Sequence, residues 1–349
     1  MTVKSPQPPR RRGRPSPSRR LTVAVTGATG TVGPALLTRL AEEAQVGPIV
    51  LAGRRRPKAL PVAADIELRT VDLRDRAAVG RALEGTDVVV HAAYALYGVA
   101  SREADLFATN VEGTLNVARA AAVGAVERLV YTSSRAVYGF HGDNPQPLDE
   151  KAPIRASRHH FYGRHKAQAE LLVRDVLADS QTEAYVFRPC GIAGPHAAGG
   201  ALSVVPAAAV RLARTGVVAA ARAGFRPVAP APPVPLQFVH EDDVAQALVR
   251  AALGRGAAGT YNLAGEGAPD GSEVLRLLGI RELPLPRRVV RGALRTVASV
   301  PPVVPALGWS EAGTEPLILS TKKARSQLGW RPRYTSRDAL VDTRRALGW

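Results

Sequence analysis

Leu21-Thr-Val-Ala-Val-Thr26-Gly27-Ala28-Thr29-Gly30-Thr31-Val32-Gly33 is the stretch that decides the fold of this 349-residue chain. Leu21–Val25 is a short apolar run of the length of a buried strand. Three glycines spaced three apart follow at once, and Val32–Ala44 reads as a helix. Gly27 permits a tight turn with positive φ, Gly30 lets the backbone approach a pyrophosphate, and Gly33 allows close helix–sheet packing. The opening helix offers free N–H groups and the positive end of its dipole to phosphates. Thr29, Thr31 and Val32 share that turn and join the glycines as candidate binders. A glycine string alone predicts only a surface turn, whereas strand, glycines and helix in this order predict a dinucleotide site.

Outward from this stretch, apolar runs alternate with helical segments. Ile49–Ala52, Ile66–Val71, Val88–His91, Arg128–Thr132 and Ala184–Arg188 read as strands. Arg76–Leu83, Arg102–Val123 and Ser157–Leu177 read as helices. The alternation predicts an α/β chain with a Rossmann-type, doubly wound parallel sheet covered on both faces. After Pro189 the texture turns to Gly, Ala and Pro, and Leu236–His240 and Thr260–Leu263 resemble returning strands around a helix at Glu241–Leu253. The expected division is a disordered basic tail at 1–20 and an NAD(P)-binding domain at 21–190 plus 236–263. A smaller substrate lobe follows at 191–235 plus 264–325, then a C-terminal helical segment at 326–349.

Composition narrows the class. The net charge is +17, but residues 1–20 hold seven Lys and Arg and no acid, leaving 40 basic against 30 acidic residues in the rest. With 46% hydrophobic residues the body can bury a large core, which excludes intrinsic disorder there. Cys190 is the single cysteine, which excludes a disulfide scaffold and fits a cytoplasmic location. The longest early charge-free run, Leu21–Thr38, lacks the sustained apolarity of a membrane span. Ser18-Arg19-Arg20 resembles a twin-arginine signal only faintly, and the run after it is needed for the dinucleotide turn. Arg11-Arg12-Gly13-Arg14-Pro15 resembles a minor-groove AT-hook, but one short match in an Arg-rich chain makes a nucleic-acid partner unlikely.

The second strand ends Ala52-Gly53-Arg54-Arg55-Arg56. An acid there would bond the ribose 2′-OH of NAD, whereas Arg accommodates a 2′-phosphate. Arg54 and Arg55 therefore favour NADP over NAD. Tyr162 has Lys166 four residues on, and no other of the eight tyrosines has such a lysine. On a helix that spacing puts both on one face. A free Tyr has a pKa near 10, and acid/base work near neutrality needs about 4 kcal/mol of help for the charged form. A neighbouring ammonium supplies part of it. Ser134 follows a strand, which brings a hydroxyl to the sheet edge where ligands bind. His159, His160 and His165 lack the spacing of metal ligands, so no metal is expected, and His160 is placed at the substrate mouth. Cys190 is expected to be a small buried apolar residue.

These residues resemble the extended short-chain dehydrogenase/reductases, the NAD-dependent epimerase/dehydratase family. The resemblance covers about residues 21–349. It rests on Thr26-Gly-x-x-Gly-x-x-Gly33, Asp72-Leu73, His91-Ala-Ala93, Asn110-Val-Glu-Gly-Thr114, Ser133-Ser-x-x-Val-Tyr-Gly139 and Tyr162-x-x-x-Lys166. Arg188-Pro-x-x-x-x-Gly-Pro195, His240-x-x-Asp243-Val, Tyr261-Asn and Lys323-Ala-x-x-x-Leu-Gly-Trp-Arg-Pro332 complete it. It implies that Asp72 and Leu73 meet the adenine, that Ala92 and Ala93 line the ribose and nicotinamide, and that Asn110 supports the cofactor pocket, with Pro189 at its edge. The bland alternatives are a helix N-cap for Asp72 and a cap or core hydrogen bond for Asn110. The resemblance implies that Lys166 bonds the nicotinamide ribose and that Tyr162 exchanges a proton with a substrate oxygen oriented by Ser134.

Departures from the pattern shape the function expected. Arg135 and Ala136 stand where sugar-nucleotide dehydratases carry an acid pair. Gly191 stands where sugar-nucleotide members carry a diphosphate-binding Asn, and Leu236-Gln-Phe replaces a second anchor. The expectation is an oxidoreductase acting on a secondary alcohol or ketone of low polarity. A nucleotide-sugar 4-epimerase is the near alternative, and a non-catalytic NADP-sensing regulator is the alternative of another class. A small-molecule substrate, a homodimer built on the 102–123 and 157–177 helices, and no membrane contact complete the expectation.

Overall fold

The computed structural model describes residues 19–62, 64–95, 103–124, 126–197, 228–299 and 313–348. Most of the expected basic tail with its Arg11–Pro15 motif lies outside the described residues, as do 198–227 and 300–312 of the expected substrate lobe. The strands are β1 (Leu21–Thr26), β2 (Val46–Ala52), β3 (Ile66–Arg69), β4 (Val88–His91), β5 (Arg128–Thr132), β6 (Glu183–Pro189), β7 (Gly191–Ala193), β8 (Val228–Pro230), β9 (Phe238–His240), β10 (Gly259–Leu263) and β11 (Arg281–Leu283). The helices are α1 (Gly33–Glu42), α2 (Arg76–Ala82), α3 (Glu103–Phe107), α4 (Gly113–Val123), α5 (Phe161–Leu177), α6 (Glu241–Ala252), α7 (Gly271–Leu277), α8 (Arg287–Ser299), α9 (Lys322–Gln327) and α10 (Ser336–Leu347).

Seven strands form one sheet in the order β10-β6-β5-β4-β1-β2-β3, with every neighbouring pair parallel. Both faces are apolar, so the strands read as continuous hydrophobic runs. On one face Val23, Val25, Ile49, Leu51, Val88 and Val90 pack against Leu36, Leu37 and Leu40 of α1 and Val244 and Leu248 of α6. On the other, Ala24, Val50, Val89, Leu129 and Val186 meet Val79, Val117, Ala121 and Val173 of α2, α4 and α5. Each fully buried Leu or Val contributes about 1.5–3 kcal/mol. The strand order reverses between β1 and β4, and a crevice opens at their carboxyl ends. Both candidate loops, after Thr26 and after His91, leave the sheet there.

Two expectations are corrected. Phe238–His240 does not return to the main sheet: it pairs with Gly191–Ala193 in a separate two-stranded sheet, and the place beside β6 is taken by β10. The helix expected at 102–123 is interrupted by a π-helical turn at Ala108–Glu112. Thr109 and Thr114 donate their hydroxyls back to the Asp105 and Asn110 carbonyls, which competes with the regular backbone ladder. A third core, with Val234, Leu236, Phe238, Val274, Leu275 and Leu340, gathers β9, α7 and α10. The fully buried Asp243 carboxylate accepts the backbone N–H groups of Arg333 and Tyr334, and Trp330 donates to the Asp243 carbonyl. The His240-x-x-Asp243 motif thereby ties the C-terminal segment to α6.

Candidate active site

A cleft of about 670 Å³ lies along the carboxyl ends of β1, β2 and β4–β6. It brings together Gly27, Thr29, Gly30, Thr31, Val32, Arg54, Arg55, Asp72, Leu73, Ala92, Ala93, Ser134, Tyr162, Lys166 and Pro189. Gly27 has φ +79°, and a Cβ on it would lie 2.5 Å from the Ala93 nitrogen. Only glycine fits where these two loops cross. A Cβ on Gly30 would meet only the Gly27 carbonyl, at 3.1 Å, so its cleft side is open to a ligand. Gly33 does not line the cleft, and its close approach is not to the sheet. A Cβ there would lie 2.0 Å from the Ala28 carbonyl oxygen of its own turn, so Gly33 closes the loop on α1.

Asn110 also stands off the cleft and works through another residue. Its Oδ1 accepts the Ala95 N–H at 2.7 Å and its Nδ2 donates to the Ala95 carbonyl at 2.9 Å, pinning the strand end that carries Ala92 and Ala93. Asp72 is not a helix N-cap; Asp75 caps α2. Asp72 is held instead by Arg74, whose guanidinium brings its carboxyl down to about 2. Buried His91 spans the base of the cleft, with Nδ1 2.6 Å from Thr26 Oγ1 and Nε2 2.9 Å from Thr114 Oγ1. Thr114 already spends its proton on the Asn110 carbonyl, so Nε2–H donates and Nδ1 accepts from Thr26. Burial brings the imidazole down to about 3, which matches that neutral tautomer.

At the inner end, α5 presents Tyr162, Lys166 and Glu170 four residues apart on one face. Tyr162 and Ser134 line the cleft together, and the Ser134 hydroxyl favours the Tyr162 phenolate. Ser134 Oγ also accepts the Ala136 N–H at 3.2 Å, capping the short turn Arg135–Tyr138. Burial pushes the Tyr162 phenol up, opposed by the Ser134 hydroxyl and the Arg135 charge. Lys166 donates to the Thr132 carbonyl at 2.6 Å and lies 4.5 Å from the centre of the Tyr94 ring. Burial brings this amine down to about 7, with Glu170 opposing. Glu170, fully buried, accepts from Arg188 at 2.6 and 3.1 Å, from Arg174 at 2.7 Å and from the Ser133 hydroxyl at 2.7 Å. Such a matched carboxylate fixes the helix face behind the site.

Some residues were placed otherwise by sequence, or missed. His160 is fully buried and does not line the cleft; it packs between Phe140 and Tyr162, with ring centres 5.3 and 5.8 Å away. Burial pushes the Cys190 thiol up to about 12, as expected of an inert residue. Tyr94, edge-on to Tyr162 with ring centres 4.9 Å apart, carried no motif signal. Arg135 was read only as an absent acid, yet it lines the cleft beside Tyr162. Phe140, Ile192 and Phe238 wall the same end. A Cβ on Gly191 would meet the Phe238 ring at 3.0 Å, so a side chain at 191 would require that ring to give way.

A parallel sheet with a glycine turn at its switch point and a Ser134–Tyr162–Lys166 cluster defines a nicotinamide-dinucleotide fold. The model of the NAD-dependent epimerase/dehydratase family matches residues 23–264, and the chain belongs to that family. A 3β-hydroxysteroid dehydrogenase/Δ5→4-isomerase of Mycobacterium tuberculosis is 34% identical over 181 residues, 49% of this chain and 47% of that protein. A 2-alkyl-3-oxoalkanoate reductase of Shewanella oneidensis is 32% identical over 174 residues, 49% of this chain and 43% of that protein. The matches thus span a little under half of these relatives. The fold is that of the Bordetella bronchiseptica enzyme WbmG solved with NAD, with TM-score 0.69, 20% identity and 95% of both chains covered. Among the described residues, no helix is long and apolar enough to cross a membrane.

Proposed function

We propose that this chain is an NAD(P)(H)-dependent oxidoreductase acting at a secondary alcohol or ketone carbon. The observation that carries the reading is that Ser134, Tyr162 and Lys166 line one cleft, with Tyr162 and Lys166 on the same helix face. The cleft fits the cofactor: Gly30 is open on the ligand side, Arg54 and Arg55 stand at the second strand, and Asp72 and Leu73 flank the far wall. When bound there, a nicotinamide supplies or accepts a hydride. Ser134 fixes the substrate oxygen, and Tyr162 gives it a proton during reduction or takes one during oxidation. Lys166, poised near neutrality on the Thr132 carbonyl, is within the chain's own means of turning to the cofactor ribose and assisting the Tyr162 phenolate.

Arg54 and Arg55 support a preference for NADP(H). Fluorescence titration should show NADPH binding more tightly than NADH, with Arg54→Asp reducing the ratio; an unchanged ratio contradicts it. Phe238 over Gly191 favours net redox chemistry on an apolar substrate over a nucleotide-sugar 4-epimerase. The names of the steroid dehydrogenase and oxoalkanoate reductase relatives point the same way. The test is the absorbance of the reduced nicotinamide on mixing with ketones. Net consumption supports the reading, and epimerisation without it overturns it. Exposed Val123 and Leu171, on the two neighbouring helices α4 and α5, support a homodimer; a monomer in sedimentation velocity contradicts it. The single buried thiol supports a cytoplasmic location, which fractionation of the source cells checks.

A further inference from the structure

We propose that Arg135 binds a carboxylate on the substrate, so that the site takes organic acids with an apolar body. The proposal rests on the oxidoreductase reading for the chemistry, but not for the binding. Arg135 is 8% exposed and lines the cleft immediately after Ser134. Among the described residues its one hydrogen bond is from Nη1 to the Leu317 carbonyl, at 3.0 Å. A guanidinium has five N–H donors in a planar fork, so most of this fork is uncommitted. Among the described residues, the titratable groups on which its charge bears are Tyr162, Cys190 and His160, and none is a carboxylate. Other inward Arg residues are matched: Arg188 is bidentate to Glu170.

A buried cation without a counter-anion is costly, and burial indeed pulls the Arg135 pKa down. A planar carboxylate is the ligand whose geometry answers the fork. The cofactor phosphates would lie at the Gly27–Val32 turn, where Gly30 is open and the helix N-terminus follows, and would not supply this anion. Cys190 lies beside Arg135, and Phe140, Ile192 and Phe238 line the same cleft, which suits a hydrocarbon body. An acid whose carbonyl sits on Ser134 and Tyr162 would place its carboxylate on Arg135.

Isothermal titration tests this on the full chain saturated with oxidised NAD(P), using decanoate, decanamide and UDP as probes. Decanoate should bind at least tenfold more tightly than decanamide. Arg135→Gln should erase that difference, and Arg135→Lys should restore part of it, with cofactor affinity retained as the sign of an intact fold. Equal binding of the two probes, no binding of decanoate, or a difference that survives Arg135→Gln overturns the proposal. So does an Arg135 dependence seen for UDP alone. If the Gln variant does not fold, the wild-type comparison of acid with amide still decides. Acid selectivity without hydride transfer would keep this site and retire the oxidoreductase reading; hydride transfer without acid selectivity would do the reverse.

Discussion

The acid/base role proposed for Tyr162 would depend on its neighbours, because burial alone pushes its phenol up. The Ser134 hydroxyl and the Arg135 charge work against that push, and Lys166 is held on Thr132. Tyr162→Phe removes the proton but little volume. It should lower kcat by about 10²–10⁴-fold while leaving the unfolding midpoint in place; steady-state rates within a few-fold of wild type would refute the assignment. Behind it, Glu170→Ala leaves Arg188 buried without its partner, a loss of about 3–5 kcal/mol. Urea denaturation checks this, and a change below about 1 kcal/mol would mean that the pair adds nothing. Tyr162, Lys166 and Ser134 were legible from spacing and strand context. Arg135 and Tyr94 were not, because what matters about them is which side chain is near which, and neighbours distant in sequence decide that.

At the scale of elements, the glycine turn shapes the fold and lines the cleft, where it is proposed to bind the cofactor. Gly27→Ala would drive a methyl into the Ala92–Ala93 backbone from a positive-φ residue, so the turn must shift away from the cleft. Cofactor affinity should fall at least tenfold by fluorescence titration, and an unaltered affinity would show that the turn does not set the site. The central strands β1, β4 and β5 were readable because both faces bury them, giving nearly uninterrupted apolar runs, whereas edge strand β3 is half-exposed. Phe238–His240 has the same texture, but texture does not say which sheet a strand joins; that choice is made by Gly191–Ala193 lying beside it. The π-helical turn was hidden for a related reason. It arises where threonine hydroxyls compete for carbonyls and where Asn110 bonds Ala95, and neither shows in hydrophobic periodicity.

Across the whole molecule, the +17 charge divides into a basic first twenty residues and a body where, among the described residues, arginines such as Arg39, Arg155 and Arg188 pair with carboxylates and Arg54, Arg55 and Arg135 line the cleft. Acid should destabilise this body through its histidines. Burial holds His91 and His160 at about 3 and His165 at about 4, against 6.5 for the free side chain. Between those values and 6.5 the unfolded chain binds more protons, so stability falls as pH drops through that window. Each histidine contributes a slope of up to about 1.4 kcal/mol per pH unit. Urea midpoints between pH 7 and pH 4 test this, and a flat profile would contradict it. Lys166 acts in the opposite range: its lowered value makes stability rise from about pH 7 towards its ordinary 10.5.

The central claim is hydride transfer at a carbonyl with Tyr162 as proton donor, and label transfer tests it most directly. The full chain would be incubated with reduced NADPH or NADH carrying deuterium at the transferable position and a panel of aliphatic ketones and oxo acids. Mass spectrometry would then follow the product. Deuterium should appear on the carbinol carbon of the alcohol formed, at a rate reduced at least a hundredfold by Tyr162→Phe. No label in any product, or transfer that Tyr162→Phe leaves unchanged, would contradict it.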